Sequence, residues 1–382
     1  MNLPESKEKQ TGKEVTPVYT TKTYSLMIRL VFKARGLLFD SFEEYFPASN
    51  PKKMLPAPYP SVLMANHVWE GDVPALAAVY PHVTPSIKFA IPAREDLMGK
   101  DFLTKEFKPK GFLKWFFFLV DKSKIIPTYM NYIGCVPIKR PFRDNARELL
   151  KKGTLRDMVD QEWSYLSDRI SEGRNLFMFP EGTFNHDGYM NQIKKGVYFL
   201  RTKFKGLNFT SFTLTYDYFS SKKAELHIGY GDQFPIPESA DSDEVSSIVK
   251  ERLGRGYAVT AGNLASYIIL KFEGRAKESK DKLFQTLKAF AETIKTKHPE
   301  IYISQKFNTE NLKHAFDSFL EKTKKSGFLK LEGNDIVFLE KLFQIPKDLH
   351  NLKKKNMVLY HRNQLTYHLP KLDAAWASTV TV

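Results

Sequence analysis

The stretch VLMANHVWEGDVP, residues 62–74, sets Asn66 and His67 at the end of an apolar run and Asp72 five positions after the histidine. Such a pair can do proton chemistry: the carboxylate accepts the N–H of one ring nitrogen, fixes the tautomer and stabilises the imidazolium, while the other nitrogen takes a proton. The same spacing recurs at His227 with Asp232 and at His368 with Asp373, so the surroundings must decide. His227 lies in AELHIGY, where Leu226, Ile228 and Tyr230 share one strand face and leave the histidine on the other. His368 is near the end of the chain, with no strand-to-helix transition around it. His67 follows a buried-looking strand and precedes Gly71 and Pro74, which favour the first turn of a new helix. A helix there returns Asp72 towards the imidazole; the bland alternative is an aspartate that only caps the helix.

A second stretch, FMFPEGTFNHDG at 177–188, places Glu181 just past an apolar strand between Pro180 and Gly182. The backbone must turn sharply there, and the sequence predicts a carboxylate presented at the edge of a sheet. Other chemistries are absent as motifs. The chain has no G-x-S-x-G elbow, no Walker A loop, no G-x-G-x-x-G after a strand, no H-E-x-x-H and no C-x-x-C. Its nine histidines are scattered, so no metal site is expected.

The elements that position these residues are legible as alternation. SVLMANH, YIGCVPIKR, NLFMFPEG, TSFTLTYDYF and AELHIGYGD read as strands, with DVPALAAVY and the segment 145–173, closed by Gly173, as helices between them. Strands alternating with helices predict an α/β fold, a mainly parallel mixed sheet flanked by helices, whose strand C-termini build the site. Beyond about Ser239 the texture becomes lysine-rich amphipathic helix, an appended and mostly helical C-terminal region. Within it SGFLKLEGNDIVFL reads as a hairpin after a helix pair. The expected division is a disordered polar tail at 1–22, an amphipathic helical region at 23–58, the catalytic domain at 59–240 and the helical region at 241–382.

Composition narrows the partners. With 382 residues and 42% hydrophobic side chains, the chain is long and apolar enough to bury a substantial core. Its formal charge of +15 suits an anionic partner, and a single cysteine, Cys135, fits a reducing compartment. The first 22 residues contain no apolar core of signal-peptide length, and no run of about 18 apolar residues exists to span a membrane. Two shorter segments suit a lipid interface: Tyr24 to Phe42, apolar with interleaved Arg29, Lys33 and Arg35, and the aromatic block GFLKWFFFLVDKSK at 111–124. Core-facing helix is the ordinary reading of both; for the second, a tunnel along the sheet is a further one.

NHVWEGD followed about a hundred residues later by FPEGT resembles the glycerolipid acyltransferases, which acylate glycerol phosphate and lysophosphatidate. The resemblance extends to AREDL, to the basic strand GCVPIKRP and to IKKG, and covers roughly residues 60–236. The last 140 or so residues lie outside it, although their FLKLEGNDIVFL and VLYHRNQLTYHL are faintly similar to the end of the larger glycerol-3-phosphate acyltransferases. The resemblance implies His67 as the base and Asp72 as its orienting partner. It further implies Lys139 and Arg140 on the acceptor phosphate, Glu181, Gly182 and Thr183 shaping the acceptor site, and Lys194 and Lys195 on phosphate or coenzyme A, with Asn66 and Gly134 in support. No cofactor or metal is required, since the acyl-CoA or acyl carrier protein thioester is a substrate. The family usually carries arginine directly after FPEGT, where this chain has Phe184, and TSFTLTYDYF lacks the proline often found in the fourth block.

The implied activity is O-acyl transfer to a glycerol-phosphate lipid precursor in phospholipid biosynthesis, at an anionic membrane surface on the cytoplasmic side. Lysophosphatidate is the first acceptor and glycerol 3-phosphate the second. Two readings compete with it. One is a non-catalytic, membrane-binding protein of the same fold, against which the joint presence of His67, Asp72 and Glu181 speaks. The other is a nucleic-acid binder, motivated by charge alone and without a recognition module.

Overall fold

The computed structural model describes residues 15–69, 71–94, 99, 101–138 and 164–380. Seven strands make a mixed, mostly parallel sheet: β1 (Phe39–Tyr45), β2 (Ser61–Ala65), β3 (Phe89–Arg94), β4 (Cys135–Ile138), β5 (Asn175–Met178), β6 (Asn208–Asp217) and β7 (Ala224–Tyr230). The α/β class is therefore as the alternation predicted. By contact the chain divides into two compact units, residues 1–20 with 86–176 and residues 21–85 with 177–382.

In the first unit β3 pairs in parallel with β4, from Ile91 opposite Cys135 to Arg94 opposite Ile138, and with the start of β5. The helix Ile125–Ile133 stops at Gly134, whose φ of 99° suits glycine. A Cβ there would stand 2.0 Å from the Phe89 carbonyl oxygen, so Gly134 is needed to bring the helix end against β3. The segment 145–173 lies mostly outside the described residues; its end, 164–171, is helical, and Gly173 follows with a φ of 89°.

The aromatic block corrects two of its readings. Helix Phe112–Ser123 leaves Phe112, Leu113, Trp115, Phe116, Phe118 and Leu119 exposed, and the next helix adds Ile125 and Tyr132. These side chains neither fill a core nor line a tunnel. Six large apolar groups on one 12-residue helix make an exposed surface of the kind that marks an interface.

In the second unit β7 stands between β1, parallel to it, and β6, antiparallel to it, and β6 pairs on its other edge with β2 in parallel. All five residues of β2 and all seven of β7 are buried, as in strands covered on both faces. The amphipathic helix expected from Tyr24 to Phe42 is shorter: the α-helix covers Lys22–Lys33, a 3₁₀ turn follows, and Phe39 already belongs to β1. β1 reads poorly as a strand because FDSFEEY is acidic. Its carboxylates are satisfied by distant groups, Glu43 by Ser304 Oγ and the Gln305 N–H and Glu44 by the Tyr230 hydroxyl.

The C-terminal helices share this second unit. Helices Ala261–Leu270, Lys280–Lys297 and Asn311–Lys325 build one apolar core with Leu264, Ile268, Leu287, Phe290, Phe316 and Phe319 inside. The hairpin Leu329–Glu332 with Asp335–Phe338 follows the helix pair as read from the sequence, and Lys277–Ser279 joins it as a third strand. Among the described residues no helix is long and apolar enough to cross a membrane.

Candidate active site

The site grows from the end of β2. Asn66, the residue after the strand, behaves as one more rung of the sheet: its amide donates to the Leu214 carbonyl at 2.9 Å and accepts from the Leu214 N–H at 2.7 Å. Its amide also reaches the Tyr257 hydroxyl at 3.2 Å. With Asn66 locked to β6, His67 is the first residue free to leave the sheet. The chain then turns, and Asp72 opens the helix Asp72–Val79. Gly71 admits this turn, because a Cβ there would lie 2.2 Å from the Trp69 ring folded over it.

Asp72 is wholly buried and every contact it makes is a donor. Its Oδ2 accepts from His67 Nδ1 at 2.8 Å, the Val68 N–H at 2.6 Å and the Trp69 N–H at 3.1 Å, while Oδ1 accepts from the Tyr216 hydroxyl at 2.6 Å. Since a carboxylate only accepts, Nδ1 must carry the ring proton, which leaves Nε2 of the neutral imidazole with a lone pair. That nitrogen has no hydrogen-bond partner among the described residues. His67 keeps 14% of its side chain exposed against none for Asp72, so the carboxylate is sealed and the imidazole is reachable. Capping and orienting are here one arrangement: the same oxygen that ties the turn's N–H groups holds the imidazole.

Glu181 supports the base from behind. The carboxylate expected at the sheet's edge is turned inward and fully buried: Oε1 accepts the His67 N–H at 2.8 Å and Oε2 the Asn191 N–H at 2.6 Å. Burial pushes its pKa up to about 7, although the two N–H donors pull the other way. Gly182, with a φ of 68°, makes the turn, and the loop is closed by Asn185 N–H on the His67 carbonyl at 2.8 Å and by Lys194 N–H on the Pro180 carbonyl at 2.8 Å. Phe179 stacks on the imidazole with centroids 4.0 Å apart and planes 9° from parallel, and Phe184 approaches it at 4.3 Å. Phe184, the residue directly after FPEGT, thus sets an aromatic ring beside the imidazole.

Residues 114–210 match the family model Acyltransferase. Over that segment the chain is similar to the acyltransferase family. No curated protein matches it. The matched segment starts beyond His67 and Asp72 and includes Glu181, Gly182, Thr183, Lys194 and Lys195, so the family match and the geometry at His67 are independent observations. A family domain of this kind supports an acyltransferase role.

The structure brings together Asn66, His67, Asp72 and Glu181. Thr183, Lys194 and Lys195 are exposed on the loop that follows, with the Lys194 stem against Gly182. Gly134 belongs to the first unit, where it is structural. Lys139 and Arg140 lie outside the described residues. The two weaker histidines are core groups: His227 is buried beside Tyr45, and His368 binds the Tyr257 carbonyl through Nε2 at 2.9 Å while Asp373 pairs with Lys271. Sequence reasoning missed Tyr216, Phe179 and Asn191. Phe179 had a signal, its place beside the turn; Tyr216 had none, being 144 residues from its carboxylate.

Proposed function

We propose that this chain moves a fatty acyl group from an acyl thioester to the hydroxyl of a glycerol-phosphate acceptor, 1-acylglycerol 3-phosphate before glycerol 3-phosphate, at a membrane surface on its cytoplasmic side. The observation that carries the reading is the imidazole of His67, protonated at Nδ1 by its bond to Asp72 and open at Nε2. In this mechanism Nε2 takes the acceptor's hydroxyl proton as that oxygen attacks the thioester carbonyl carbon. Asp72 stabilises the imidazolium that forms. Collapse of the tetrahedral intermediate breaks the carbon–sulfur bond, and the proton on Nε2 passes to the departing thiolate. The thioester is consumed as a substrate, and the chemistry asks for no further cofactor. The membrane part of the reading is supported by the exposed aromatic helix Phe112–Ser123, with Lys110, Lys114, Lys122 and Lys124 around it, since apolar side chains with lysine flanks suit an anionic interface.

The test is thiol release from oleoyl-coenzyme A in mixed micelles with lysophosphatidate, glycerol 3-phosphate or neutral lysolipid as acceptor, repeated with acyl carrier protein as donor. Acceptor-dependent release, fastest with lysophosphatidate, is expected. Binding to anionic vesicles without release from either donor would replace the enzyme by the membrane-binding reading.

A further inference from the structure

Residues 179–195, the connection that carries Glu181, form neither helix nor strand. A structureless connection this long is uncommon in a compact fold and usually functional, and its backbone polar groups must find partners elsewhere. They find them on two sides. The first is His67, whose N–H donates to Glu181 Oε1 at 2.8 Å and whose carbonyl accepts the Asn185 N–H at 2.8 Å. Both backbone groups of the residue that bears the imidazole are thus held by one loop.

The second side is the C-terminal helix Met357–Gln364 with the turn before it. The Leu352 N–H donates to the His186 carbonyl at 3.0 Å, Asn363 Nδ2 to the Asp187 carbonyl at 2.8 Å, and Arg362 reaches the Tyr189 hydroxyl at 3.3 Å. Gly188 makes the close approach possible, because its φ is 87° and a Cβ there would stand 2.2 Å from the Tyr360 carbonyl oxygen. Asn185 joins the two sides. While its N–H is on the His67 carbonyl, its Oδ1 accepts from the Gly188 N–H at 3.3 Å and from the Tyr360 hydroxyl at 3.4 Å. Asn185, Tyr360 and Asn363 are all buried. The helix is anchored in turn: Val358 within it and Leu365 at its end belong to the apolar core of the C-terminal helices. A loop without regular structure is thereby braced from a packed core.

We propose that the C-terminal helix positions the base, Tyr360 and Asn363 being positioning residues that hold the loop by which both backbone groups of His67 are clasped. The inference rests on the acyl-transfer reading for what His67 does, and it gives the region beyond the family match a part in the reaction. Asp72 sets the tautomer and the direction of the ring; the braced loop sets where its backbone stands. Loss of the brace leaves the chemistry of the pair intact and misplaces the nitrogen that takes the proton, which is a loss of rate rather than of substrate binding.

The experiment compares the wild-type chain with the double variant Tyr360→Phe with Asn363→Ala, with Gly188→Ala, and with Lys354→Ala as an exposed control on the same segment. Three readouts are taken: the melting curve, kcat and KM with oleoyl-coenzyme A and lysophosphatidate, and the proton resonance of the His67 Nδ1–H held against Asp72, assigned by its absence in His67→Ala. In the double variant kcat per folded molecule falls by about tenfold or more, as a small displacement of a reacting group does, KM stays, and the resonance shifts or broadens. Gly188→Ala goes further in the same direction, and Lys354→Ala changes none of the three. A lower melting temperature with kcat per folded molecule and the resonance both unchanged marks the helix as structural only and overturns the proposal. Should Gly188→Ala not fold, the double variant decides alone. The resonance needs no turnover, so the two failures separate: a double variant with a disturbed resonance, in a protein whose wild type transfers no acyl group, keeps the positioning and loses the reaction.

Discussion

Two histidine–aspartate pairs sit in the same compact unit, and only one of them leaves a ring nitrogen open. His67 and Asp72 are 2.8 Å apart, with the imidazole reachable. His361 and Asp217 are 3.9 Å apart and both are wholly buried. The tautomers are alike: in each, Nδ1 donates, to Asp72 in one and to the Met357 carbonyl in the other. The difference is the second nitrogen. Nε2 of His361 accepts the Tyr218 N–H at 3.0 Å, so its lone pair is spent on the fold. Burial pushes His361 down to about 4. Burial also works against the charge on Asp217, but nearby His361 and the donors of Ser220, Gly262 and Phe219 outweigh it and hold that carboxyl at about 2. What makes a base is an unoccupied nitrogen with access, beyond any pairing with an acid.

The largest effect that could break the comparison is His67→Ala, expected to lower kcat for acyl transfer by about a thousandfold, within the range for a general base, with the melting temperature nearly unchanged. Asp72→Asn comes next. It keeps an acceptor for the turn but removes the charge that stabilises the imidazolium, so kcat falls by about a hundredfold, whereas Asp217→Asn shifts the melting temperature and leaves kcat in place. A reversed pattern between these two aspartates would end the distinction between them.

Glu181→Gln sharpens the account of the buried carboxylate. Both oxygens of Glu181 accept backbone N–H groups, so an amide NH₂ on either side faces a donor, and about 1–3 kcal/mol of stability is lost by denaturant titration. A Glu181→Gln chain as stable as wild type would mean that the carboxyl is held protonated. The smallest effect is in pH. His361 and His368 are each pushed down by burial to about 4, below the ordinary 6.5, so between those values the unfolded chain binds more protons than the folded one. Their contribution is full above pH 6.5 and is lost as pH falls through 4. The melting temperature should drop by about 5 °C or more from pH 7 to pH 4; a flat profile would show these histidines able to charge within the fold.

The pairing of His67 with Asp72 was legible because its signals are local: an apolar strand, a glycine and a proline that start a helix, and a carboxylate placed to return. The turn at Glu181 was legible for the same reason, from Pro180 and Gly182. Its direction was not, because what draws Glu181 inward is the His67 N–H, 114 residues away. β1 was hidden by acids whose partners are distant in sequence, Ser304 and Gln305 for Glu43 and Tyr230 for Glu44. The aromatic helix read equally well as core or surface, since periodicity does not say which face is covered. The contact of residues 352–363 with the loop after Glu181 was invisible: nothing in LKKK tells that the Leu352 N–H meets the His186 carbonyl.

The measurement that tests the central claim most directly is acceptor-dependent thiol release from oleoyl-coenzyme A with lysophosphatidate, run in parallel on wild type, His67→Ala and His361→Ala, each checked for folding by its melting curve. The account predicts that His67→Ala folds and does not turn over, whereas His361→Ala loses stability and keeps its rate per folded molecule. Turnover that survives in folded His67→Ala, or that vanishes in folded His361→Ala, would contradict the assignment of the base.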